Sequence, residues 1–189
     1  MKMKRSTFIK LGGITAAGSV FSSCNRTIVP GSAVCNEVTP EQRIKELGLV
    51  LPPVSQPAGI YKPALVSGNL LYVSGQAPVL PDGSLITGKV GADLSLEEGK
   101  LAARQVGLTM ISVIKKHFGD LNRICRLIKT LGMVNCTPDF YSQPAVINGF
   151  SELMAEIFGE ENGIGVRSAV GMILPLNIAV EIEAIFELL

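Results

Sequence analysis

Apolar and polar residues alternate through the last stretch of the chain. Val180, Ile182, Ala184 and Phe186 fall on one side of an extended backbone, and Glu181, Glu183, Ile185 and Glu187 on the other. That period of two predicts a strand near Ala179–Leu188 with one face buried. A second strand near Arg167–Leu174 precedes it, joined through Pro175-Leu176-Asn177. Farther upstream, Leu71, Val73 and Gly75 alternate with Tyr72, Ser74 and Gln76, so Ala64–Pro78 predicts two short strands around Ser67-Gly68-Asn69. Pro81-Asp82-Gly83-Ser84 reads as a further turn.

Elsewhere the period lengthens to that of a helix. Ser95-Leu96-Glu97-Glu98 is a capping box opening an apolar-periodic run that reaches Phe118 and stops at Gly119. A second helix is expected over Pro144–Phe158, burying Val146, Ile147, Phe150, Leu153, Met154 and Ile157. A strand belongs between the two helices, within Ile124–Val134. Thr39-Pro40-Glu41-Gln42 carries an N-cap, a proline at the first helical position and a glutamine that closes the box, so a short helix should run to about Gly48. Leu51 to Pro57 then reads as an extended connector. Two strands, space for a third, then helix, strand, helix and two strands imply an α+β fold. Its mixed sheet should carry both long helices on one face, in a single domain over 39–189.

Charge separates the N-terminus from this body. Lys2, Lys4, Arg5 and Lys10 lie in the first 23 residues, which hold no acid; the remaining 13 basic and 16 acidic residues leave the body at −3. Such a body is poor material for nucleic acid, which binds basic patches. The basic start and the apolar run from Phe8 to Phe21 are too short for a membrane span but suit an export signal. Residues 1–23 are therefore expected to be a signal peptide. Phe21-Ser22-Ser23-Cys24 is a loose lipobox that would make Cys24 a lipidated N-terminus. The protein would then be exported, periplasmic or anchored to a membrane only through that lipid, with 24–38 as linker.

Cysteine and histidine exclude familiar chemistries. Beyond Cys24, the irregularly spaced Cys35, Cys125 and Cys136 form neither a disulfide framework nor a CxxC metal pair. Cys125 and Cys136 are expected to be small buried hydrophobes. The single His117 falls at a helix C-terminus, a poor place for a triad and no anchor for a multi-histidine metal site. Arg167 and the Glu181/Glu183 pair remain. They admit three readings: solvent-facing charges, a salt bridge, or a site for a small anion.

Five segments in order carry a resemblance: Gly59-Ile60-Tyr61, Leu71-Tyr72-Val73-Ser74-Gly75-Gln76-Ala77-Pro78, Val146-Ile147-Asn148, Arg167-Ser168-Ala169-Val170 and Val180-Glu181-Ile182-Glu183-Ala184-Ile185. Over Leu49–Leu189 the chain resembles the RidA/YjgF family, also called endoribonuclease L-PSP or chorismate-mutase-like. The resemblance implies a barrel-like homotrimer with pockets at subunit interfaces. It implies hydrolysis of 2-imino acids and their enamine tautomers to 2-keto acids and ammonia, with no metal or organic cofactor. By position, Arg167 would grip the substrate carboxylate and Glu181 would activate water, as the catalytic pair. Tyr61, Ser74, Gly75, Asn148 and Ala169 would complete the substrate pocket. Ala169 stands where many relatives carry cysteine, and Met172–Ala179 is one residue short. A non-catalytic trimeric module that binds small carboxylates or a protein partner is the competing expectation. RNA cleavage is disfavoured by the acidic body.

Overall fold

The computed structural model describes residues 38–189. The expected signal peptide (1–23), Cys24, Cys35 and all but the end of the linker lie outside the described residues. The first described element is helix α1, Pro40–Glu46. Its capping box is formed as the sequence requires: Gln42 N donates to Thr39 Oγ1 at 3.3 Å, and Thr39 N donates to Gln42 Oε1 at 3.0 Å.

Five strands form one sheet: β1 (Ala64–Ser67), β2 (Leu70–Gln76), β3 (Ile124–Asn135), β4 (Val166–Met172) and β5 (Val180–Leu188). Their order across the sheet is β1-β2-β5-β3-β4, with β3–β4 parallel and the other pairs antiparallel. The last strand therefore lies in the middle, and β4 is an edge. The two long helices are α2 (Leu96–His117) and α3 (Gln143–Phe158), and a one-turn helix α4 (Glu160–Gly163) follows α3. The α2 box also forms, Glu98 N donating to Ser95 Oγ at 3.2 Å and Ser95 N to Glu98 Oε2 at 2.8 Å.

No third strand forms between β2 and α2. Pro78 and Pro81 remove ladder donors there, Asp82 Oδ1 accepts from Ser84 N and Oγ in a tight turn, and residues 79–94 make only isolated bridges. The short α4 has too few residues to show a period and has no counterpart in the sequence reading. Cys125 and Cys136 are only half-buried, which corrects their expected place in the core. Cys125 is the second residue of β3, and Cys136 follows its end, partly buried against the core.

Helices cover one face of the sheet. Leu71, Val73, Ile182, Ala184 and Phe186 meet α2 and α3 through Val106, Met110, Ile114, Ile147, Phe150 and Leu153, all buried. The two helices cross closely because Gly149 has no side chain: a Cβ there would stand 2.0 Å from the Lys100 carbonyl oxygen. Outside that contact, Lys100–Glu152 (2.8 Å) and Arg104–Glu156 (2.6 Å) pair across the helices. The sheet's other face is open. A depression of about 520 Å³ lies on it, lined by Lys62, Tyr72, Ser74, Lys129, Leu131 and Glu183 among others.

Candidate active site

Two separate clusters hold the residues singled out above. The first lies where the sheet edge meets α3. In β4, Arg167 is level with Thr130 of β3, which is level with Ala184 of β5. Thr130 and Ala184 are buried under the helices, so Arg167 projects on the helix-covered side. There its guanidinium folds onto α3. Nη1 donates to Ser151 Oγ (3.0 Å), and Nη2 donates to Asn148 Oδ1 (2.7 Å) and to the Pro144 carbonyl (3.1 Å). Residues 144, 148 and 151 recur at the spacing of one helix stripe, opposite the buried stripe of the same helix.

These contacts leave the salt-bridge reading without a partner among the described residues: no carboxylate there pairs with Arg167, whose partners are neutral acceptors. The side chain stays exposed and borders a depression of about 380 Å³ with Asn148, Ser151, Glu160 and Gly165. Nη2 spends both its hydrogens on α3. Each planar fork of the guanidinium shares that nitrogen, so a two-point grip on a carboxylate would need one α3 contact to yield. Ala169, level with Gly132, is half-buried against the core and lies two residues along β4 from Arg167. It does not border the Arg167 depression.

The second cluster forms around β2 and β5. Val73 pairs with Ala184 and Gln76 with Ile182, so β2 carries an extra residue at Ser74-Gly75. This bulge turns the bare Cα of Gly75 toward β5, and the Glu181 carboxyl fills the space: a Cβ at Gly75 would fall 2.0 Å from Glu181 Oε1. Ser74 is held in the bulge, its hydroxyl donating to the Pro63 carbonyl at 3.2 Å and accepting from Gln76 Nε2 at 3.3 Å. Tyr61 is half-exposed beside Gly75 and Gln76, on the wall of a cavity of about 240 Å³.

Glu181 is half-buried, and burial pushes its carboxyl above the usual glutamate range, with the charge of Glu183 two residues along adding to the shift. Glu183 thus acquires an electrostatic part. Glu187, on the same face, instead pairs with Arg126 Nε at 2.9 Å and accepts from Asn69.

Arg167 and Glu181 do not meet within the chain. They lie on opposite faces, two strands and three residues apart in register, or about 14 Å in the plane of the sheet from ordinary strand spacing and rise. Sequence reasoning placed Arg167, Asn148, Glu181, Ser74 and Tyr61 in one pocket. It missed Ser151 and the Pro144 carbonyl, although their spacing from Asn148 was there to be read.

Known proteins share this arrangement of elements. A family described as "YjgF/chorismate mutase-like, putative endoribonuclease" matches residues 41–188. Protein TCP17 of Trypanosoma cruzi is 42% identical over 146 residues, 77% of this chain and 91% of that protein. A Shewanella oneidensis structure, described as "a putative endoribonuclease", overlays with a TM-score of 0.75 at 36% identity, covering 79% of this chain and 99% of that one. A protein of unknown function from Agrobacterium tumefaciens gives 0.71 at 43% identity, covering 79% and 94%. With its mixed five-stranded sheet and helices on one face, the chain belongs to the RidA/YjgF, chorismate-mutase-like family.

Proposed function

We propose that this protein hydrolyses small imines and enamines, a 2-imino acid giving a 2-keto acid and ammonia, in pockets shared between subunits of a homotrimer. The observation that carries the reading is the division of the site. Each chain holds a cationic half, Arg167 with Asn148, and an anionic half, Glu181 with Gly75, Ser74 and Tyr61, and neither is complete alone. Head-to-tail contact in a closed ring joins one half to the other at every interface.

In such a pocket Arg167 holds the substrate carboxylate, and Glu181 of the partner subunit takes a proton from water as the oxygen bonds to the imine carbon. The C=N π pair moves to nitrogen and is protonated. The resulting carbinolamine then collapses, its C–N bond breaking to release ammonia while the carbonyl forms. A carboxyl held above its ordinary range by burial is a stronger base toward water than a free one.

Complementation tests the shared pocket. Arg167→Ala and Glu181→Gln should each abolish hydrolysis of imines made by an amino-acid oxidase. Co-refolded in equal amounts, they should regain about a quarter of wild-type activity, because a random mixture leaves that share of interfaces with both groups intact. No recovery from well-assembled mixtures would overturn the shared site. A non-catalytic carboxylate-binding trimer is the second reading, favoured by the saturated Nη2 of Arg167. It predicts that keto acids raise the melting temperature while imines decay no faster than in buffer.

A further inference from the structure

The cavity of about 240 Å³ beside Tyr61 and Gly75 has features that neither half-site explains. Its roof is the connector ahead of the sheet, Val54 to Ala58, and Val113, Leu85 and Leu176 add apolar wall. Leu176 reaches it from a left-handed backbone (φ 54°, ψ 17°), a conformation that costs a leucine about 1 kcal/mol. The floor is tied to α2: Thr109 Oγ1 accepts from Val79 N at 3.2 Å, and Gln105 Nε2 donates to the Val79 carbonyl. The cavity is smaller than the roughly 300–1,000 Å³ of drug-sized pockets, which suits a compact molecule and not a nucleotide chain.

One polar side chain on its wall is engaged through its nitrogen alone. Gln76 lines the cavity and is 9% exposed. Its Nε2 donates to the Ser74 carbonyl at 2.9 Å and to Ser74 Oγ. A carbonyl can only accept, so the nitrogen must face Ser74, and the amide orientation is fixed by chemistry. Oε1 is then turned away, with no partner among the described residues. A free amide oxygen on the wall of a small, mainly apolar cavity offers one directed acceptor, which a ligand carrying a hydrogen-bond donor can use.

We infer that this cavity receives a compact, mainly apolar ligand whose N–H donates to Gln76 Oε1. The inference extends the proposed site, resting on that reading for the nearness of Glu181, with which the cavity shares Gly75. It makes Gln76 a specificity-determining residue and the Val54–Ala58 roof part of the pocket.

Two neutral probes that share one branched acyl body test it by calorimetry on the full chain. Isobutyramide carries N–H donors; methyl isobutyrate keeps the branched body and has none. Wild type should bind isobutyramide more tightly than the ester. Gln76→Met should weaken isobutyramide about three- to tenfold, the worth of one hydrogen bond, and leave the ester unchanged. Ala58→Phe, at an exposed position of the roof, should block both probes without altering the melting temperature. Failure of wild type to bind isobutyramide, equal affinity for the two probes, or indifference to Ala58→Phe would each overturn the inference. Since binding is read without turnover, a protein that takes isobutyramide but hydrolyses no imine sinks the hydrolase reading alone.

Discussion

Among the described residues, Glu181 is the carboxyl held above its ordinary range. Its folded-state carboxyl titrates above the unfolded one because burial and Glu183 disfavour the charge. A raised carboxyl adds stability only while protonated, below the unfolded value, and loses that advantage as pH rises through the folded value. Glu181→Gln should therefore melt higher than wild type at pH 7 to 8, the gap closing below about pH 4, where both side chains are neutral. A gap that does not change with pH would contradict the assigned burial. Gly75→Ala tests the neighbouring contact. Its new methyl falls on Glu181 Oε1 and should lower kcat by about 10²-fold, the usual worth of a placed general base, while KM changes little. Asn148→Ala should act on KM instead, lowering it, because loss of the 2.7 Å partner frees an Nη2 hydrogen for a two-point grip on the carboxylate. Of these residues, the sequence pattern showed which types stood where, but not that Glu181 lies on a glycine or that Arg167 is held by a serine and a carbonyl. Those contacts join segments far apart in the chain.

Helices were more legible than strand neighbours. Both capping boxes sit where Thr39-x-x-Gln42 and Ser95-x-x-Glu98 put them, because a cap is a local exchange of hydrogen bonds. The six residues expected to be buried on α3 are all buried, since the 3.6-residue period depends only on which side is wet. Strand order was not legible: alternation marks β5 as half-buried, yet nothing in it says that β5 lies centrally, between β2 and β3. The bulge had a faint signal in Gly75, a glycine inside an alternating run. Close helix packing yields its own prediction. Gly149→Ala sets a methyl against the Lys100 carbonyl at 2.0 Å and should cost about 1–3 kcal/mol in urea denaturation, the range for overpacked contacts. An unchanged midpoint would mean that α2 and α3 slide apart freely.

For the molecule as a unit, the open sheet face and the divided site point the same way. Leu65 and Tyr72 are exposed on that face, and the Lys62 and Lys129 side chains that line its depression have no partner among the described residues. Burying such a surface between copies would remove apolar area from water at about 25 cal/mol per Å². Light scattering should then give a mass of about three chains, consistent with ring closure, and a monomeric mass would leave each half-site stranded.

Strand β4 pairs with β3 along one side only, and Val166 and Met172 are exposed on it. It carries Arg167 but neither lysine nor proline to discourage another strand from adding there. A newly made chain with this edge bare is therefore vulnerable to mispairing, the more so the more copies surround it. Heterologous expression that outruns folding should fill inclusion bodies, while slower synthesis of the same polypeptide should keep it in solution.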